Sequence, residues 1–168
     1  VGGGGKAHVA RGSLEGAETV IEADYDAPYL AHLAMEPVNC TVAIAEDRVD
    51  VWTGTQNPES VLGAAAEILG RAPETIHIHN CFLGGGFGRR SMPDFARRAL
   101  AIAKALGNTP VKVLWSREAD TRTGHFRPLA ALRFKAGFDA SGKPLALLNR
   151  SATHSILAGF RPEVVQNG

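Results

Sequence analysis

The chain has 168 residues, enough for one domain with a real core and short for two. Hydrophobic residues make up 45% and charged residues 21%, and 18 basic against 17 acidic residues leave a formal net charge of +1. This is the composition of an ordinary globular domain and carries no electrostatic footprint for nucleic acid. No apolar run is long enough for a membrane span, the first residues do not read as a signal peptide, and Cys40 and Cys81 lack the spacing of a disulfide framework or a cysteine-rich zinc site.

In chain order, Gly2 to Gly5 read as a flexible linker or boundary, which sets residues 1–18 apart from a folded region over 19–168. Thr19 to Ala27 alternates apolar and polar residues and predicts a strand that Pro28 breaks. Pro28 to Asn39 reads as irregular, with Tyr29, Leu30, Leu33 and Met35 apolar enough to be buried. Cys40 to Ala45 and Arg48 to Thr53 flank Glu46-Asp47 and predict a hairpin. A helix then opens with Asn57 as N-cap and Pro58 at its first position and closes at Gly70, carrying Val61, Leu62, Ala65, Ile68 and Leu69 on one face. Thr75 to His79 predicts a strand leading into a glycine-rich loop. A second helix over Pro93 to Leu106 buries Phe95, Leu100, Ile102 and Ala103 and ends at Gly107. Pro110 to Trp115 is a strand, Ser116 to Phe126 is polar and loop-like, and Ala131 to Phe138 with Leu145 to Ser155 forms a hairpin around residues 139–143. This order predicts an α+β fold with a mixed sheet and helices packed on one face.

The loop Gly84-Gly85-Gly86-Phe87-Gly88-Arg89-Arg90 lies between a strand and a helix. Backbone N–H groups there make a ready anion site, with Arg89 and Arg90 adding positive charge. Neither the dinucleotide fingerprint nor the P-loop fits: the last glycine position falls on Arg89 or Ser91, and no Gly-Lys-Ser/Thr ending follows. On these residues alone the loop reads equally as a tight turn feeding a helix, with two solvated arginines.

Four segments in this order resemble one family. Pro28 to Thr41 (PYLAHLAMEPVNCT), Val51 to Pro58 (VWTGTQNP), the GGGFGRR loop and Val111 to Pro128 (VKVLWSREADTRTGHFRP) are similar to the xanthine dehydrogenase and aldehyde oxidase superfamily. Within it they resemble the branch of isoquinoline 1-oxidoreductase β-subunits and related bacterial aldehyde dehydrogenases, over nearly the whole chain from about Tyr25 onward.

The resemblance implies a molybdenum-cofactor-binding-domain fold and an internal piece of a large subunit, inactive in isolation. It implies that Gln56 approaches an oxo ligand of molybdenum, where an amide donates without bringing charge. It also implies that Gly85, Gly86, Phe87 and Gly88 bring backbone N–H groups against the cofactor, as only glycine permits such approach. Arg127 matches a substrate-channel arginine. On spacing alone Gln56 also reads as a cap-region residue and Arg127 as a surface ion-pair partner. Xanthine dehydrogenases continue the motif as GGGFGGKE with a substrate-binding glutamate; Arg89, Arg90 and Ser91 stand here instead, which argues against purine recognition of that kind.

The implied cofactor is molybdopterin, in its cytosine dinucleotide form, with molybdenum. The implied partners are a small subunit carrying 2Fe-2S clusters and the remainder of the large subunit. The implied reaction inserts water-derived oxygen into an N-heteroaromatic or aldehyde substrate. The family's glutamate base lies outside this chain, and neither Glu36 nor Glu118 matches it; Glu36 is expected to hold local structure instead. His77 and His79 share one strand face without forming a metal motif, so no metal ligand is assigned. The competing reading is a stand-alone anion-binding or interaction module. The compartment, cytoplasmic or periplasmic, is left open by the sequence.

Overall fold

The computed structural model describes residues 12–159 and 162–165. The alternating run of the N-terminal part forms β1 (Thr19–Ala27), followed by the short β2 (Leu30–Ala31). Strands β3 (Asn39–Ile44) and β4 (Val49–Thr53) then pair antiparallel, from Thr41 opposite Trp52 to Ile44 opposite Val49. Helix α1 (Pro58–Leu69) starts where Asn57 Oδ1 accepts the Ser60 N–H at 3.1 Å and stops where Gly70 turns left-handed. Strand β5 (Ile76–Asn80), α2 (Asp94–Leu106) and β6 (Val111–Leu114) follow. Then come α3 (Arg117–Thr123), the short β7 (Phe126–Arg127), β8 (Ala130–Phe138) and β9 (Pro144–Thr153).

The elements divide into two compact units, one spanning 31–126 and the other formed by the described residues on either side of it. In the 31–126 unit the sheet order is β5-β4-β3-β6, with β4–β5 parallel and the other pairs antiparallel. Period-2 alternation sends Cys40, Val42, Val49, Val51 and Ile76 to one face, where they meet Val61, Ala64 and Ala65 of α1 and Phe95, Ala96, Ala99, Leu100 and Ala103 of α2. Both helices therefore cover the same face of a mixed sheet, as expected. The opposite face carries Asp50, Trp52 and His79, with the Trp52 and His79 rings stacked at 4.9 Å.

The second unit is an antiparallel sheet of order β1-β8-β9. Its strands bury little: Gly137 is the one buried strand position among its described residues. A side chain at Gly137 would reach within 2.8 Å of Leu14 Cδ2, so residues ahead of β1 lie on this sheet. Of the expected flexible segment over 1–18, residues 1–11, including Gly2 to Gly5, lie outside the described residues.

Three expectations are corrected. The stretch Ser116 to Phe126 is not simply a loop, because Ser116 Oγ accepts the Ala119 N–H at 3.2 Å and nucleates α3. That helix buries no residue, so it has no apolar period to read. Ile102 is exposed on the outer side of α2. Tyr29, Leu30, Leu33 and Met35 are exposed, and their segment turns Ala34 and Val38 inward instead. The reason lies in the main chain: Arg117 donates to the carbonyls of Ala34 and Met35, and Arg90 to those of Glu36 and Pro37, which fixes which side chains face out.

Candidate functional site

Two loops at the ends of neighbouring strands meet in the 31–126 unit. The first, Gly54-Thr55-Gln56, runs from β4 into α1; the second, Cys81 to Gly88, leaves β5. Thr55 joins them, its Oγ1 donating to the Arg90 carbonyl at 2.9 Å and accepting the Asn57 N–H at 3.0 Å. Gln56 N–H donates to the same Arg90 carbonyl at 3.1 Å.

The side chain of Gln56 closes the contact. Its Oε1 accepts the Gly88 N–H at 2.9 Å. With the carbonyl end committed, the exposed amide presents its NH2, a neutral donor, beside the loop. The glycines make this approach possible. A Cβ on Gly86 would lie 2.6 Å from Gln56 Oε1 and 2.7 Å from its Cδ, and a Cβ on Gly84 would lie 2.4 Å from Glu36 Cβ. The other three positions of the run from Gly84 to Gly88, namely Gly85 (φ 104), Phe87 (φ 54) and Gly88 (φ 91), all have left-handed backbone. Phe87 is the costly one, since a bulky residue rarely adopts positive φ. Bonds on either side hold it there: Arg89 N–H to the Gly86 carbonyl, and Gly88 N–H to Gln56.

Around the loop an apolar rim is open to solvent, formed by Leu33, Met35, Phe82, Leu83 and Phe87. It projects from two segments tied reciprocally through Glu36 and Gly84: the Glu36 N–H donates to the Gly84 carbonyl at 3.1 Å, and Gly84 N–H donates to Glu36 Oε2 at 2.8 Å.

The two arginines do not add charge to an exposed anion site. Arg89 is 4% and Arg90 0% exposed. Arg89 makes a bidentate pair with Asp94, at 2.7 and 2.9 Å, and lies over the Phe95 and Trp115 rings. Arg90 pairs with Glu36 at 2.9 Å and donates to the Gly54 and Glu36 carbonyls. The reading with two solvated arginines is overturned for the same reason: the chain buries both as it turns from the loop into α2.

Glu36 holds local structure, as expected. Burial opposes its ionisation, but the Gly84 N–H, the Asn39 amide and Arg90 outweigh that cost and hold its carboxyl below the usual range. Glu118 sits in the exposed first turn of α3, where the helix's own N–H and Ser116 lower its carboxyl. Of the remaining reactive groups, the buried Cys40 thiol is pushed up to about 12 by burial, and Cys81 is an exposed free cysteine. His79 Nε2 bonds Asp50 at 2.6 Å, and among the described residues no three His, Cys, Asp or Glu side chains cluster as a metal site. Arg127, on β7, is exposed and belongs to the other unit.

The structure thus gathers Gln56, Gly85, Gly86, Phe87 and Gly88 into one site. Glu36, Arg90 and Thr55 are the parts of it to which motif spacing gave no role in holding the two loops together. The residues suit a neutral-to-anionic oxygen group of an oxo-metal cofactor: an exposed side-chain NH2 beside glycine backbone, with both loop arginines buried in ion pairs.

The chain belongs to the molybdopterin cofactor-binding domain family, which it matches over residues 5–164. It is 38% identical over 152 residues to isoquinoline 1-oxidoreductase subunit beta of Brevundimonas diminuta, covering 89% of this chain and 19% of that protein. It is 27% identical over 155 residues to the aldehyde oxidoreductase molybdenum-binding subunit PaoC of Escherichia coli K12, covering 92% of this chain and 21% of that protein. Its fold matches the aldehyde oxidoreductase of Desulfovibrio gigas with a TM-score of 0.68 at 18% identity, over 83% of this chain and 15% of that one. The chain spans about a fifth of the length of the curated relatives it matches.

Proposed function

We propose that this chain is an internal piece of the large subunit of a molybdenum hydroxylase, where it forms part of the cofactor pocket. The observation that carries this reading is the Gln56 amide: its oxygen is taken by the Gly88 N–H at 2.9 Å, so its NH2 is the end left to face a ligand. Gln56 would hold an oxygen of the metal group by donation, and Gly85, Gly86, Phe87 and Gly88 would admit the cofactor against backbone. The cofactor, molybdopterin in its cytosine dinucleotide form, would supply the two-electron redox chemistry by which water-derived oxygen enters the substrate. The protein's own part is to orient: neutral donors stabilise charge on oxygen without fixing a counter-charge in the site.

Substrates of this reading are N-heteroaromatics or aldehydes, the chemistry named for the relatives above. Arg127 would orient a polarised carbonyl or ring nitrogen with its planar donors. The catalytic base would come from another part of the subunit, and electrons would leave through a small subunit with 2Fe-2S clusters.

The test is metal analysis and pterin fluorescence on the full-length subunit produced with its partner. The reading expects stoichiometric molybdenum and pterin, both lowered by Gln56→Ala. A folded complex containing neither would leave a cofactor-free module and end this proposal.

A further inference from the structure

Beneath the two loops lies a charge pair to which the roles above give no part in the chemistry. Glu36 Oε2 sits 2.9 Å from Arg90 Nη2 and accepts the Gly84 N–H at 2.8 Å, while Glu36 Oε1 accepts from Asn39 Nδ2 at 2.7 Å. Through its two terminal nitrogens Arg90 also donates to main chain, reaching the Gly54 carbonyl at 3.1 Å and the Glu36 carbonyl at 2.8 Å. Its own carbonyl takes the Gln56 N–H and the Thr55 hydroxyl. Three separate segments, 34–37, 54–56 and 84–90, are therefore fastened at one ion pair.

We propose that Glu36 and Arg90 are positioning residues that aim the Gln56 amide and the glycine loop at the bound cofactor. This rests on the cofactor-pocket reading of Gln56. The pair acts through the backbone leading into Gln56 and through Gly84. Gln56 has its N–H on the Arg90 carbonyl, the preceding Gly54 carbonyl on the Arg90 guanidinium, and its side-chain oxygen on Gly88. Moving Arg90 therefore moves both backbone anchors of Gln56 together.

Stability alone does not explain the pair. A buried ion pair of this kind is often matched or exceeded by apolar residues of similar volume, because two charges must be stripped of water. Here Arg90 Nε is also buried without a partner, a further cost. What an apolar pair lacks is the guanidinium's fixed fork, which holds separate carbonyls at set angles. A lysine would supply charge without that fork.

The experiment uses the full-length subunit with its partner subunits and compares Glu36→Gln, Gln56→Met and the double variant. Whichever way a glutamine at position 36 is turned, its NH2 faces a donor: Asn39 Nδ2 on one side, Gly84 N–H and Arg90 on the other. Molybdenum and pterin content, kcat, KM and the electron paramagnetic resonance signal of Mo(V) are read together. The expected result for Glu36→Gln is a kcat, corrected for molybdenum content, lowered about 10–100-fold with KM little changed. Its Mo(V) signal shifts in the same sense as that of Gln56→Met, and the double variant loses no more than Gln56→Met alone. A parental Mo(V) signal with molybdenum-corrected kcat unchanged, or losses that multiply in the double variant, would overturn the proposal. Glu36→Asp keeps the charge but withdraws its reach to Gly84, and is expected to give the same shift; if both variants at position 36 yield only unfolded protein, the pair is ordinary structural support and the proposal fails. A parental enzyme without molybdenum or pterin would instead end the cofactor-pocket reading itself.

Discussion

Gly84 and Gly86 lack a side chain for a spatial reason, and this ranks the substitutions at the loop. Alanine at Gly84 would place Cβ 2.4 Å from Glu36 Cβ, and at Gly86 2.6 Å from Gln56 Oε1; at Gly88 no atom lies within 4 Å, and the cost is the left-handed backbone alone. Gly84→Ala and Gly86→Ala are expected to destabilise by about 1–3 kcal/mol through overpacking, and Gly88→Ala by about 1–2 kcal/mol through its positive φ. Denaturant midpoints would check the first, and a Gly86→Ala variant that keeps both its midpoint and its cofactor would show that the Gln56 contact is not made. Acid sensitivity belongs to the same scale. The Glu36 carboxyl is depressed in the folded state, so below its ordinary value of 4.5 the unfolded chain takes up the proton first. The stabilisation is present above that pH and is lost progressively as pH falls through the lower folded value. Unfolding free energies measured from neutral pH downward should show this slope, and Glu36→Gln should reduce it.

Helix boundaries rest on single capping contacts. Asn57→Ala, which removes the bond to Ser60 N–H, is expected to cost about 1 kcal/mol, read as a shift in the denaturation midpoint. Ser116→Ala should have a more local effect: α3 buries no residue, so without its cap amide exchange over Arg117–Thr123 should rise while α1 and α2 keep their protection. These contacts also explain what was legible in the sequence. Elements with both a cap and an apolar period, such as α1, or clean alternation, such as β1 and the β3–β4 hairpin, stand where the residues predict them. Helix α3 has a cap and no apolar period, so its residues do not predict it. Leu33 and Met35 face out against their apolar character because hydrophobicity says nothing of carbonyls claimed by Arg90 and Arg117. The glycine loop and Gln56 were legible through their motifs. The burial of Arg89 and Arg90 was not, since the partners that neutralise them, Asp94 and Glu36, carry no marker of pairing in the sequence.

At the scale of the whole molecule the apolar core belongs to one unit. All its buried members, from Val38 to Trp115, fall within 31–126, and the β1-β8-β9 sheet buries almost nothing among its described residues. Leu100→Ala is expected to cost about 2–5 kcal/mol through the cavity it leaves. Hydrogen exchange should show the drop in β3, β4 and α2, where protection starts highest, against a low baseline in β9; equal protection in both sheets would contradict this division. The exposed rim of Leu33, Met35, Phe82, Leu83 and Phe87 bears on handling rather than chemistry. A greasy margin of this kind, left facing water, favours self-association, and a net charge of +1 offers little colloidal repulsion against it. Met35 at 88% exposure would be an early target of peroxide, and its sulfoxide would turn part of that margin polar, so an aged preparation should scatter less light and bind hydrophobic dyes more weakly than a fresh one.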